Sequence, residues 1–161
     1  MATDTIDNRL EDGAIALPRP ARPGSFTGLM TLYESNFVRL GWLVSDPEAD
    51  VGLRQSSIGD DCPLYLELLE NCRYTTTVRL TYLFEDADQE IADPDVTIRI
   101  YQDAHMAEAM SCVNQRRHAA LSGYATGVGS QLERRWARNN MLNKWLEYCA
   151  DKGHRFAPVS A

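Results

Sequence analysis

The sequence predicts an α+β fold, an antiparallel sheet of three to four strands with helices packed on one face, from three observations. Residues 25–44 place Leu29, Leu32, Tyr33, Phe37, Leu40, Leu43 and Val44 on one stripe when successive residues are turned about 100°. Three later runs, 64–69, 74–84 and 96–102, read as strands, and in the second and third apolar side chains alternate with polar ones as a half-buried strand requires. Residues 132–151 return to helical spacing, with Leu132, Trp136, Leu142, Leu146 and Cys149 on one side. Strands joined by short polar connections form an antiparallel meander, and the flanking amphipathic helices supply a second layer.

Taken in order, the chain begins with an acidic and Pro-rich stretch, 1–24, too poor in periodic apolar residues to join a core, which predicts a flexible tail. The first helix starts near Ser25 or Thr27 and stops before "SDPEAD". A weak strand is expected in 51–58. The short "ENCR" joins the first two clear strands as a hairpin, while the acidic "EDADQEIADPD" reads as a loop before Val96. From about Ala104 the spacing of Met106, Ala109, Met110 and Val113 predicts a second helix, so the expected order is αβββαα. Residues 114–130 are Gly-rich and carry no clear period, and Gly153 stops the last helix. The expected domain runs from 25 to 156, followed by a tail at 157–161.

Composition narrows the function. No apolar run approaches the roughly 18 residues a membrane helix needs, and the polar start lacks a signal peptide, so a cytoplasmic protein is expected. Four cysteines, at 62, 72, 112 and 149, show no CxxC pair; they are expected to be reduced, and no metal or other cofactor is implied. The net charge of −7 is unevenly spread: residues 1–110 hold eight basic against twenty acidic side chains, residues 111–161 eight against three. That excess of acid argues against a nucleic-acid partner.

Four groups of residues can carry chemistry. Asp103 stands where a helix N-cap belongs, and His105, Glu108 and Cys112 share one face if a helix follows. Glu70, Arg73 and Tyr74 flank the first hairpin turn, where a carboxylate, a guanidinium and a phenol could hold an anionic or amide ligand. Asn36 and Asn139 lie inside apolar stripes. An unpaired buried amide costs about 1–3 kcal/mol, so each must be an anchor bonded to backbone or to the other, or part of a pocket floor. Arg116, Arg117, Arg134, Arg135 and Arg138 form a basic cluster against the preference of a helix N-terminus, a candidate partner contact. Walker, nucleophile-elbow, HExxH and Rossmann patterns are missing.

The segments "LYESNFVRL", "LENCRYTTTVRL", "DPDVTIRIYQDAHMAEAM" and "NNMLNKWLEYCADKG" together resemble the YqiB-like family of small proteobacterial proteins, a domain of unknown function. The resemblance rests on Glu34, Asn36 and Phe37; on Glu70, Arg73, Tyr74, Thr75 and Thr76; on Asp103, Ala104, Ala107 and Glu108; and on Asn139, Leu142, Trp145 and Leu146. The chain departs from the family pattern at "YATGVGS" and "ERRWAR", where relatives carry a Tyr-Pro-Asn stretch and an acidic approach to the last helix. The resemblance implies no reaction. Its members are often encoded beside an ADP-ribose pyrophosphatase and a cyclic-AMP phosphodiesterase, which implies at most a link to nucleotide metabolism. The expectation is a non-catalytic binding or regulatory module for a protein or small-molecule partner. The alternative is a small nucleotide-binding protein or hydrolase using Glu70, Arg73, Asp103 and Glu108 at one end of the sheet.

Overall fold

The computed structural model describes residues 24–113 and 130–159. Residues 1–23, Arg116, Arg117 and nearly all of the Gly-rich stretch lie outside the described residues. Helix α1 (Phe26–Leu43) is followed by five strands, β1 (Arg54–Ser56), β2 (Leu64–Asn71), β3 (Thr75–Asp86), β4 (Gln89–Tyr101) and β5 (Met106–Val113), and then by helix α2 (Gln131–Lys152). The strands form one antiparallel sheet in the order β1-β2-β3-β4-β5.

Both helices end where local chemistry says they should. The Ser25 hydroxyl accepts the Gly28 N–H at 3.0 Å and opens α1, and extended Val44 closes it. Ser130 and Glu133 form a reciprocal capping box at the start of α2, and Gly153, in the left-handed conformation with φ 97°, terminates it. Along β2, β3 and β4 every second residue turns inward: Leu64 and Leu66, then Val78, Leu80 and Tyr82, then Val96, Ile98 and Ile100. They meet Leu40 and Leu43 of α1 and Leu142, Trp145 and Leu146 of α2 in one core. Burying each such aliphatic side chain contributes roughly 1.5–3 kcal/mol. Trp145, fully buried, meets the Tyr82 ring edge-on at 5.1 Å.

Three expectations are corrected. The sheet has five strands rather than three to four, because the weak 51–58 stretch does supply β1 and a further strand stands where a helix was expected. The acidic "EDADQEIADPD" is no loop: β3 and β4 run through it and turn on Ala87 and Asp88, both at positive φ (49° and 66°) as a two-residue hairpin requires. Pro94, with no N–H for the ladder, falls where the β3–β4 register shifts between Thr81 and Leu83.

The third correction concerns residues 104–113. His105, at φ 53°, ends a tight turn, and β5 then pairs with β4 from Met106↔Tyr101 to Val113↔Asp95. Its inward residues are the small Ala107 and Ala109, both fully buried, and half-buried Cys112, while Met110 and Val113 are exposed. Small inward residues give the strand no alternation of large apolar side chains to show, so the spacing of Met106, Ala109, Met110 and Val113 reads as helical.

Candidate functional site

Strand β5 is the edge of the sheet, so half of its backbone groups have no strand partner. The helices supply partners instead. The Ala109 N–H donates to Asn139 Oδ1 at 2.8 Å, Arg138 Nε donates to the Ala109 carbonyl at 2.9 Å, and Asn36 Nδ2 donates to the Ala107 carbonyl at 3.4 Å. The same Asn36 amide donates to Asn139 Oδ1 at 3.2 Å, Asn143 donates to Asn36 Oδ1 at 3.1 Å, and Asn139 Nδ2 donates to the Arg135 carbonyl at 2.9 Å. Asn36 and Asn139 are fully buried. The two stripe asparagines are therefore joined to each other and to an edge strand, and every polar atom of both is engaged within the fold. Arg138 shares that work. Arg134 and Arg135 are exposed on the first turns of α2.

The other sequence-derived residues gather loosely at one end of the sheet. The Gln102 N–H donates to the Tyr74 carbonyl at 2.9 Å, which sets the β4–β5 turn beside the β2–β3 turn. Within that end Arg73 lies over the Tyr74 ring (5.1 Å), Glu70 accepts the Cys72 thiol (3.2 Å), and Asp103 accepts the Ala104 N–H (3.0 Å), capping its own turn rather than a helix. His105 stacks on Phe37 of α1 with centroids 5.2 Å apart. Glu108, opposite Arg99 on β4, accepts the hydroxyls of Tyr33 (2.6 Å) and Tyr101 (3.0 Å). Burial and the Glu108 hydrogen bond push the Tyr33 hydroxyl well above its ordinary range, so it stays a donor. Cys112 sits opposite inward-facing Val96, so the strand sends it and Glu108 to opposite faces of the sheet. Its thiol is pushed up to about 12 by burial, the opposite of an activated nucleophile.

One polar constellation was missed by sequence reasoning. His154, just past α2, has Nδ1 2.9 Å from the Ser56 hydroxyl and Nε2 2.8 Å from Asp61 Oδ2. Tyr82 donates to the same Asp61 oxygen at 2.8 Å and Tyr148 to the other at 3.4 Å. Burial pushes the Asp61 carboxyl up, but hydrogen bonds from Tyr82, His154 and the Cys62 N–H outweigh it and hold it below the usual carboxylate range. Serine, histidine and aspartate in a row are the groups of a hydrolase relay. Here Ser56 and His154 are 5% and 2% exposed, and Ser56 Oγ already accepts the Arg155 N–H at 3.1 Å, so no substrate reaches the hydroxyl. The arrangement clasps the C-terminal segment to β1 and β3. Its only sequence signal is a lone histidine beyond a helix stop, too slight to pair with residues about ninety positions away.

Surface concavities open elsewhere. A hollow of about 230 Å³ on the helix-free face of the sheet is lined by Leu53, Tyr65, Glu67, Arg79, Thr81, Leu83 and Ala92. Tyr65 and Leu83 also wall a second of about 260 Å³, with Pro63, Phe84, Glu85, Glu90 and Asp60, and Asp60 and Asp61 wall a third of about 300 Å³, with Tyr148 and Lys152. The first two hollows share the Tyr65 and Leu83 walls and form one groove, whereas the third is walled in part by α2. Arg79 is held to Asp95 by two hydrogen bonds of 2.7 and 2.6 Å, a bidentate pair that commits its guanidinium. The strand alternation that puts Arg79 and Thr81 on the wetter face was readable, but the concavity depends on how three separate strands are stacked. Among the described residues no group of three or more His, Cys, Asp or Glu is placed to hold a metal ion, and no helix is long and apolar enough to cross a membrane.

Comparison with known proteins agrees with the resemblance seen in the sequence. The family described as "Protein of unknown function (DUF1249)" matches residues 39–155. The "Uncharacterized protein YqiB" of Escherichia coli strain K12 is 31% identical over 134 residues, covering 83% of this chain and 94% of that protein. The proteins of the same name from E. coli O6:H1 and O157:H7 match with the same identity and coverage. No solved structure matches the chain.

Proposed function

The chain belongs to the DUF1249 family, and we propose that it works in the cytoplasm as a non-catalytic binding module whose contact surface is the groove on the helix-free side of the sheet. One contrast carries this reading. The side chains that could perform chemistry are bonded to one another inside the fold, Glu108 to two tyrosines and Asp61 to His154 and Tyr82, whereas the groove presents half-buried Tyr65 and Leu83 and exposed Leu53 to the outside. Exposed apolar side chains in a concave, polar-rimmed surface fit a recognition site. The hydrolase alternative gains no support from the turn end of the sheet, where Glu70, Arg73 and Asp103 bond within their own turns and Glu108 turns to the tyrosines. Exposed Arg134 and Arg135 offer a second contact of opposite charge.

Affinity capture at native expression, read by mass spectrometry, tests the proposal. The full chain is expected to hold a stoichiometric partner that Leu53→Glu loses. Turnover of a nucleotide or phosphodiester by the purified chain, abolished by Glu70→Gln or Asp103→Asn, would contradict it.

A further inference from the structure

We propose that the groove takes an extended, cationic segment of a partner protein, with its arginine or lysine side chains set against Asp60, Glu85 and Glu90 and its apolar ones over Tyr65 and Leu83. This rests on the reading of the chain as a binding module and names the chemistry of what it binds.

The argument starts from the β3–β4 hairpin. Its register places Glu85 directly opposite Glu90, and both are exposed. Like charges directly opposed across two strands destabilise a sheet. Asp60 brings a third carboxylate to the same hollow. Among the described residues no lysine or arginine pairs with any of the three, although cations stand nearby: Arg79 is committed to Asp95, and Lys152 lies over the Tyr148 ring at 5.5 Å. A bound cation would offset the negative charge that this register and Asp60 bring together, which favours binding without any new apolar contact.

The rest of the hollow fits the stem of such a side chain. Lysine and arginine lay their methylene stems along apolar surface while the charge reaches polar groups. Half-buried Pro63, Tyr65, Leu83 and Phe84 supply that surface beside the carboxylates. Tyr65 and Leu83 then lead into the next hollow, where Leu53 and Ala92 stand with Arg79 and Glu67. Alternate residues of an extended chain point the same way about 7 Å apart, so one segment presents several side chains to the same face.

The test uses the full chain and a fluorescently labelled short peptide alternating arginine and leucine, followed by anisotropy. Saturable binding is expected, weakened by salt and at least about tenfold weaker in Glu85→Gln/Glu90→Gln, with no binding of the glutamate–leucine counterpart. The double variant removes a repulsion, so it should melt at or above the wild-type temperature, which separates lost affinity from lost folding. Equal affinity for wild type and double variant, or no binding of the arginine peptide, would overturn the proposal. So would a dimer that dissociates on Glu85→Gln/Glu90→Gln, because it would assign the groove to a second copy of this chain. If the arginine peptide fails while Leu53→Glu still loses a captured partner, the binding-module reading stands and the cationic assignment alone falls.

Discussion

Asn36 and Asn139 show how a polar residue in an apolar stripe earns its place. Each helix lies against an edge strand with unpaired backbone groups, and an amide offers both a donor and an acceptor to meet them. Asn36→Ala or Asn139→Ala leaves a buried carbonyl or N–H without a partner, which is expected to cost about 1–3 kcal/mol each in urea unfolding. Because the two amides share a hydrogen bond, the double variant should lose less than the two single losses combined. Wild-type stability in both single variants would contradict the anchor role. At this scale the sequence was informative: a stripe of known period makes an intruding asparagine visible. It was silent on Ser56, Asp61 and His154, since no local pattern connects residues that meet only after the chain has closed.

At the scale of elements, both helices were readable because caps and stripes are local, and β5 was not. Its inward face is written in two alanines and a cysteine, and Met106, Ala109, Met110 and Val113 happen to recur at helical spacing although Met110 and Val113 end up exposed. What decided the outcome was tertiary: pairing with β4 and the amides waiting on α1 and α2. The Asp61 clasp is likewise a property of elements, joining β1, β3 and the segment after α2. A carboxylate held below its unfolded value stabilises the fold fully above the unfolded pKa of about 3.9. That stabilisation disappears as pH falls through the lower folded value. Unfolding measured between pH 6 and pH 2 should therefore show a loss of stability on the acid side of about pH 4 that is smaller in Asp61→Asn, and an unchanged slope would contradict the clasp.

For the whole molecule, the division of charge seen in the sequence acquires a location. Acidic Asp60, Glu67, Glu85 and Glu90 line the groove, whereas Arg134 and Arg135 stand on α2. The sequence showed that the chain was two-faced in charge but not where either face lay, because charge count carries no geometry. The central claim is that the groove, and not the turn end of the sheet, is the working surface. The most direct measurement places a photo-crosslinking amino acid at Leu53 in one full-length variant and at Arg73 in another, each at native expression. A discrete crosslinked partner from position 53 and none from position 73 is the predicted result; the reverse pattern would contradict the account.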